Sequence, residues 1–142
     1  KNTLHKEQGP IKNYKYFFSK FCNVLVTPIN SKENLYTFGL LPWTHIIAWP
    51  GKGILLISYP PKSIDQCNLE IKLASSSLCE KDLEAWKNDI LNFLDEDKVI
   101  VESVQKSYRE NFKLGPPNRL EQRIIHWQEV YKEFLHSSGI SF

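Results

Sequence analysis

The first half of the chain alternates short apolar segments with turn-forming residues, which is the pattern of a β-sheet. Residues 14–28 are aromatic and β-branched and predict a strand or a short helix. Residues 35–49 predict strands that are interrupted near Pro42. The Pro-Gly-Lys-Gly run at positions 50–53 predicts a turn, so residues 54–59 are expected to return as the second strand of a hairpin.

Residues 67–73 carry the clearest strand pattern in the sequence. Apolar and polar positions alternate with a period of two, which places one face in a core and the other in water. The apolar positions are Cys67, Leu69, Ile71 and Leu73.

The second half of the chain changes to helical spacing. Residues 80–93 predict one helix, with Leu83, Trp86, Ile90 and Phe93 on its apolar face. Residues 96–112 predict a second helical stretch, which the Gly-Pro-Pro run at 115–117 ends.

Residues 119–136 predict a final helix. Asn118 can cap it, and Glu121 completes a capping-box-like pair. The predicted apolar face comprises Leu120, Ile124, Trp127, Tyr131 and Phe134. An antiparallel sheet followed by packed helices indicates an α+β fold.

Composition and charge exclude several functional classes. The chain has 142 residues, of which 42% are hydrophobic, so a globular core is expected. The net charge is only +2 and no long basic run occurs, so neither nucleic acid nor a membrane surface is an expected partner. The three cysteines form no metal-binding or disulfide pattern, which favours a reducing, cytoplasmic compartment.

Asp97 is the most informative charged residue of the predicted helices. On a helical wheel it lies within about 60° of Ile100, Val101, Val104 and Tyr108, in the stripe that should face a core. Two interpretations follow. Asp97 could begin a helix, where backbone amides and the helix dipole favour an acid. Alternatively, it could be a metal ligand that points into a pocket.

The sequence around Asp97 is similar to a known family motif. The run EDKVIVESVQ at positions 96–105 resembles the E-D-x-x-x-x-E-S-V-Q signature of Rieske-type non-haem iron oxygenase large subunits. Further segments resemble the same family in the same order: residues 41–46 (LPWTHI), 60–63 (PPKS), 112–116 (FKLGP), and Glu121 with the His-Trp pair at 126–127.

The resemblance implies a fold and a chemistry. The fold would be a helix-grip domain of the START/Bet v 1 type, in which an antiparallel sheet packs on a long C-terminal helix, and it would be incomplete in this chain. Asp97 would be the carboxylate of a 2-His-1-carboxylate triad that holds mononuclear Fe(II), and Glu102 and Gln105 would support it or serve in packing. The parent would receive electrons from a reductase or ferredoxin through a 2Fe-2S cluster, activate O2 at the iron, and assemble as a homo-oligomer, typically a trimer.

The histidines depart from the family pattern. The two triad histidines should precede the Asp as an E-x-x-x-x-H-x-x-x-x-H run, but His5, His45, His126 and His136 include no such pair, and the C-x-H and C-x-x-H pairs of a Rieske cluster are absent. His45 is interpreted as an ordinary sheet histidine and His126 as a packing or capping histidine. We therefore expect residues 1–142 to be the C-terminal portion of the catalytic domain, without the Rieske domain and the two-histidine segment, and inactive alone.

Two further questions stay open from the sequence. The E-S-V-Q form of the motif is similar to oxygenases of quaternary amines such as choline or carnitine, although aromatic compounds are also oxidised in this family. The substrate would in either case be a small organic molecule. A different class of function is also compatible with the fold, namely a non-catalytic helix-grip module that binds an apolar small ligand.

Overall fold

The structure, a computed structural model, describes residues 14–110, 115–117 and 121–139. These residues form an α+β arrangement of eight strands and two helices. The elements in chain order are β1 (Lys15–Ser19), β2 (Cys22–Pro28), β3 (Asn34–Leu40), β4 (Thr44–Trp49), β5 (Gly53–Ser58), β6 (Pro61–Ser63), β7 (Gln66–Cys67), β8 (Glu70–Ala74), α1 (Glu80–Arg109) and α2 (Gln122–Ser137).

Six of the strands form one antiparallel sheet in the order β1-β2-β3-β4-β5-β8. Neighbouring strands are therefore also consecutive along the chain, apart from the small β6–β7 hairpin inserted between β5 and β8. Paired residues place Asn23, Gly39, His45, Ile57 and Ile71 in a single row across the sheet, and their side-chain positions share one face.

The hairpin predicted around residues 50–53 is confirmed. Strands β3 and β4 are separated at Pro42, and β4 turns into β5 at the Pro-Gly-Lys-Gly run. Gly53 has a φ of +143°, and a Cβ at this position would lie 2.2 Å from the carbonyl oxygen of Ala74. Only glycine fits there, because β8 approaches the start of β5 so closely. Residues 14–28, predicted as a strand or a short helix, form the β1–β2 hairpin.

The strand predicted over residues 67–73 is divided in two. Cys67 belongs to β7, which pairs with β6, whereas Ile71 and Leu73 belong to β8, which pairs with β5. The amide of Asn68 donates to the carbonyl of Pro60 at 2.9 Å, which holds the chain between the two strands. Leu69 is exposed in consequence, so only the C-terminal part of the predicted apolar face reaches the core.

Helix α1 is one continuous helix, although the sequence predicted two helical stretches. No proline or glycine interrupts Glu80–Arg109, so the backbone hydrogen bonds continue through the predicted boundary. The long helix of the fold is therefore α1, whereas the last helix, α2, has 16 residues. Glu121 occupies the N-cap of α2 without a capping side-chain hydrogen bond, and Asn118 lies outside the described residues.

The hydrophobic core lies between α1 and the β4–β5–β8 side of the sheet. Its buried members are Leu55, Ile57, Trp86, Ile90 and Leu94. Leu83 and Phe93 pack against this cluster, as the helical spacing predicted. In the described residues no helix is long and apolar enough to cross a membrane, and the three thiols are free.

Helix α2 presents a different face to the sheet from the one predicted. Ile124, Tyr131 and Phe134 are all about half exposed or more, with exposed fractions of 52%, 58% and 49%. Arg123, His126, Trp127 and Val130 contact the strands or are buried, and Phe134 packs on Phe21 in the β1–β2 turn at a centroid distance of 5.6 Å. The predicted apolar face is therefore wrong for Ile124 and Tyr131, because the face that meets the sheet is rotated by about one residue, and Leu120 lies outside the described residues.

Candidate functional site

The strands under α2 hold a polar network centred on Asn23. The Asn23 side chain is fully buried, at 0% exposure, and belongs to β2. Its Oδ1 accepts a hydrogen bond from Arg123 Nε at 2.6 Å, and its Nδ2 lies 3.3 Å from His126 Nδ1. His126 Nε2 lies 2.9 Å from the carbonyl oxygen of Ser19, and the ring of Phe18 packs against the imidazole.

This network fixes the tautomer of His126. Because Arg123 donates to Oδ1 of Asn23, the amide nitrogen must face His126, and an amide nitrogen can only donate. His126 Nδ1 is then the acceptor, and Nε2 carries the proton that is donated to Ser19. His126 thus joins α2 to the β1–β2 hairpin, in agreement with the packing role expected from the sequence.

Gly39 of β3 is the point at which these side chains meet. A Cβ built on Gly39 would lie 2.7 Å from Asn23 Oδ1, 2.8 Å from Arg123 Nη2 and 2.9 Å from Trp127 Cζ2. All three distances are shorter than real Cβ contacts allow. The absence of a side chain at this position therefore lets the guanidinium and the indole approach the sheet.

His45 lies beside Gly39 in the same row and faces α2. Its imidazole packs edge-on against the rings of Trp127 and Tyr59, with centroid distances of 5.1 Å and 6.1 Å. Burial lowers the pKa of His45 to about 4, with a smaller contribution from the positive charge of Arg123. The ring is therefore neutral at pH 7.

Tyr59 connects this group to the Asp97 side of the molecule. Burial raises the pKa of the Tyr59 phenol, and the negative charge of Asp97 raises it further, followed by Cys67. Asp97 is half-buried. It lies far inside α1, which begins at Glu80, so the interpretation of Asp97 as a helix-start acid is wrong.

The apolar stripe around Asp97 does not face the core along its whole length. Ile100 and Val101 are both 64% exposed, and Val104 and Tyr108 are also exposed. A 30-residue helix is about 45 Å long. Its buried residues, Trp86, Ile90 and Leu94, all lie in the N-terminal half of the helix. Asp97 therefore lies between the packed half of α1, which ends at Leu94, and its exposed half.

The other two residues of the predicted iron environment, Glu102 and Gln105, differ in exposure. Glu102 is exposed and forms an ion pair with Lys98 at 4.0 Å, in keeping with a solvated charge. Gln105 is half-buried.

The residues that the structure describes do not by themselves fit an iron site. Within residues 14–110, 115–117 and 121–139, no group of three or more His, Cys, Asp or Glu side chains could hold a metal ion. His45 and His126 are engaged with α2 and the sheet as described above, and His136 is exposed. His5 lies outside the described residues. Asp97 therefore remains a single prospective ligand.

Sequence reasoning missed the residues that gather under α2. His45 was interpreted as an ordinary sheet histidine, and no functional role was predicted for Arg123 or Asn23. A signal was present, because Arg123, His126, Trp127 and Val130 recur at helical spacing. Arg123 and His126 are charged or polar, so a search for apolar residues at helical spacing does not select them.

Comparisons of this chain with models of known protein families, with curated proteins and with solved structures found no match.

Proposed function

We propose that this chain is the C-terminal part of the catalytic domain of a Rieske-type oxygenase, in which Asp97 is one ligand of the mononuclear iron. The observation that carries the proposal is the coincidence of motif and position at Asp97. The residue belongs to the EDKVIVESVQ run, and it continues the line of Trp86, Ile90 and Leu94 along α1. A half-buried acid on the packing face of a helix requires hydrogen-bond donors or a positive charge nearby, and a metal ion would supply such a charge.

The fold supports this proposal at the level of architecture. An antiparallel sheet with helices α1 and α2 against one face is compatible with a helix-grip domain. In such a domain the space between sheet and helices receives the ligand. His45, Tyr59 and Asp97 lie on the sides of the sheet and of α1 that would line that space.

The remaining parts of the oxygenase belong to the intact parent protein. The two histidine ligands and the 2Fe-2S cluster would come from segments other than the described residues, and electrons would come from a reductase or ferredoxin. O2 and a small organic molecule, either a quaternary amine or an aromatic compound, would be the substrates. On this proposal the parent is a homo-oligomer, and residues 1–142 alone are inactive.

Replacing Asp97 in the intact parent tests the proposal. Asp97→Ala is expected to lower product formation more than about 100-fold, because even the hydrogen-bond partners of metal ligands commonly contribute 10- to 100-fold. The visible and paramagnetic spectra of the 2Fe-2S cluster are expected to stay unchanged, while the iron content of the mononuclear site falls.

Asp95 provides a matched control. It is an exposed acid on the same helix, so Asp95→Ala should retain product formation and iron content. Retention of iron and of turnover in the Asp97→Ala protein would refute the ligand role. An intact protein without cluster-binding and triad motifs upstream would refute membership in the family.

A second candidate function is a non-catalytic module that binds a small ligand between the sheet and the helices. The observation that favours it is the group of rings and polar side chains beneath α2, namely His45, Tyr59 and Trp127 with Asn23 and Arg123. None of these contacts requires a metal. Saturable ligand binding by the metal-free chain, together with full retention in the Asp97→Ala variant, would favour this function over the first.

A further inference from the structure

Arg123 is a half-buried cation whose hydrogen-bonded partner is a neutral amide. Its Nε donates to Asn23 Oδ1 at 2.6 Å, and the guanidinium packs over Gly39. No carboxylate forms an ion pair with it among the described residues, where the ion-paired cations are Lys20, Lys87, Lys98 and Arg109. Burial lowers the pKa of Arg123, which shows that the surroundings disfavour the charge. A guanidinium in this position retains free donors for an anion.

Trp127 supplies a second donor at the same place. Its Nε1 is buried and has no hydrogen-bond partner among the described residues. The ring atom Cζ2, next but one to Nε1, approaches the same point above Gly39 as Arg123 Nη2. A buried N–H without an acceptor costs about 1–3 kcal/mol. An acceptor that enters beside Arg123 could recover that cost.

A second orphan donor in the molecule provides a contrast. Trp86 Nε1 is also buried, again without a partner in the described part of the chain. Trp86 belongs to the apolar core with Leu55, Ile57 and Ile90. The combination of an orphan N–H and a cation without a carboxylate is what distinguishes the site under α2.

We propose that Arg123 and Trp127, with Asn23 and His45 beside them, bind the carboxylate group of a small organic acid. We name this set the Arg123 cluster. The guanidinium would donate to the carboxylate from the nitrogens that Asn23 does not engage, and Trp127 Nε1–H would donate to the same group. The organic part of the ligand would lie against the rings of His45 and Tyr59.

The chemistry of the Arg123 cluster favours a carboxylate over a phosphate. A planar guanidinium matches the two oxygens of a planar carboxylate. The neighbours Asn23, His45 and Trp127 are neutral, so the cluster offers a single positive charge. A doubly charged phosphate would leave one negative charge without compensation in a half-buried position. This inference does not rest on the oxygenase proposal, because none of these residues belongs to the EDKVIVESVQ motif.

Titration of the metal-free 142-residue chain with benzoate and benzamide tests the proposal. The two probes share a ring and differ in the charge of the polar group. Benzoate is expected to bind saturably and at least about 10-fold more tightly than benzamide, because the charged hydrogen bonds are the stronger ones. Binding is followed by calorimetry and by chemical shifts of the Trp127 indole N–H.

Substitutions locate the site. Arg123→Gln should weaken benzoate binding about 10- to 100-fold. Lys132→Gln removes a positive charge from an exposed position of the same helix and should leave the affinity unchanged. Asn23→Asp supplies an internal carboxylate to Arg123 and should also weaken benzoate binding. The new carboxylate keeps the acceptor for Arg123, and it keeps a hydrogen bond with His126 when that imidazole is protonated at both nitrogens. Cooperative unfolding of this variant is verified first, so that it stays informative if Arg123→Gln fails to fold.

Four results would overturn the proposal. The first is the absence of saturable benzoate binding up to millimolar concentration. The second is equal binding of benzoate and benzamide. The third is unchanged benzoate affinity in the Asn23→Asp protein. Inorganic phosphate that binds as tightly as benzoate would refute the choice of a carboxylate.

Discussion

The two helices pack on the same face of one sheet, but they are held there by different physics. Under α1, the strands β4, β5 and β8 contribute aliphatic side chains that enclose Trp86 and Ile90. Under α2, the strands β1 to β3 contribute a buried amide, a glycine and a backbone carbonyl that receive Arg123 and His126. The first contact removes apolar area from water, whereas the second depends on the geometry of a few hydrogen bonds.

This difference separates stability from specificity. The stabilisation gained by burying aliphatic side chains under α1 is proportional to the apolar area that is buried. It therefore tolerates modest shifts of the helix. The polar contacts under α2 fix the rotation of the helix, because a rotation by one residue would leave Asn23 buried without partners. The side of the sheet under α2 is therefore the better candidate for ligand recognition, and the side under α1 is the better candidate for the stabilising core.

The largest effect should come from removing core volume under α1. Ile90 is 1% exposed, and Ile90→Ala is expected to lower the free energy of unfolding by about 2–5 kcal/mol. Val99 lies on the same helix and is 70% exposed, so Val99→Ala should change the free energy of unfolding by no more than about 0.5 kcal/mol. Urea denaturation of both variants measures the contrast. Equal effects would mean that α1 does not pack as described.

The second effect concerns the pH dependence of stability on the α2 side. The pKa of His45 is about 4 in the folded chain and about 6.5 when unfolded. Between these values the unfolded chain binds a proton that the folded chain does not, so acidification favours unfolding. Stability should fall by up to about 3 kcal/mol as the pH drops from 6.5 to 4, with no further contribution from His45 below pH 4.

His45→Gln isolates this contribution from the carboxylates that titrate in the same range. The difference in unfolding free energy between pH 7 and pH 4 should be smaller in the variant than in the original chain. Chemical denaturation at a series of pH values measures it. Identical pH profiles for the two proteins would show that His45 is not held neutral between the sheet and α2.

The smallest of the three effects is expected at Gly39, where side chains of β2 and α2 lie close to the backbone of β3. Gly39→Ala introduces a Cβ within 2.9 Å of Asn23, Arg123 and Trp127, so α2 must shift. The expected loss is about 1–3 kcal/mol, accompanied by altered shifts of the Trp127 indole. Gly115 has nothing within 4 Å of its Cβ position, which makes Gly115→Ala the matched control. A neutral Gly39→Ala would contradict the packing of α2 over this glycine.

The two regions were also unequally predictable from the sequence. Leu83, Trp86, Ile90 and Phe93 form an apolar series at helical spacing, and the structure places all of them at the core. The same reasoning applied to α2 selected Ile124 and Tyr131, which are exposed. Apolar periodicity fails there because the buried face contains an arginine and a histidine whose partners lie about a hundred residues earlier in the chain.

For Asp97, the sequence identified the residue but did not decide between its two interpretations. Its position in an apolar stripe and in the EDKVIVESVQ run was visible in the sequence. Only the continuous helix from Glu80 to Arg109 excludes the interpretation as a helix-start acid. Its role as an iron ligand stays a prediction that the parent protein can test.

The sequence by itself determined the local elements of this protein. Alternation, helical spacing and the glycines and prolines at turns act over a few residues, so they can be recognised without the fold. Only the tertiary structure decided that Asn23 receives Arg123 and His126, that Gly39 admits Trp127, and that His45 faces α2. Those contacts join residues far apart in the chain, and their energies depend on burial and on distances of a few tenths of an ångström.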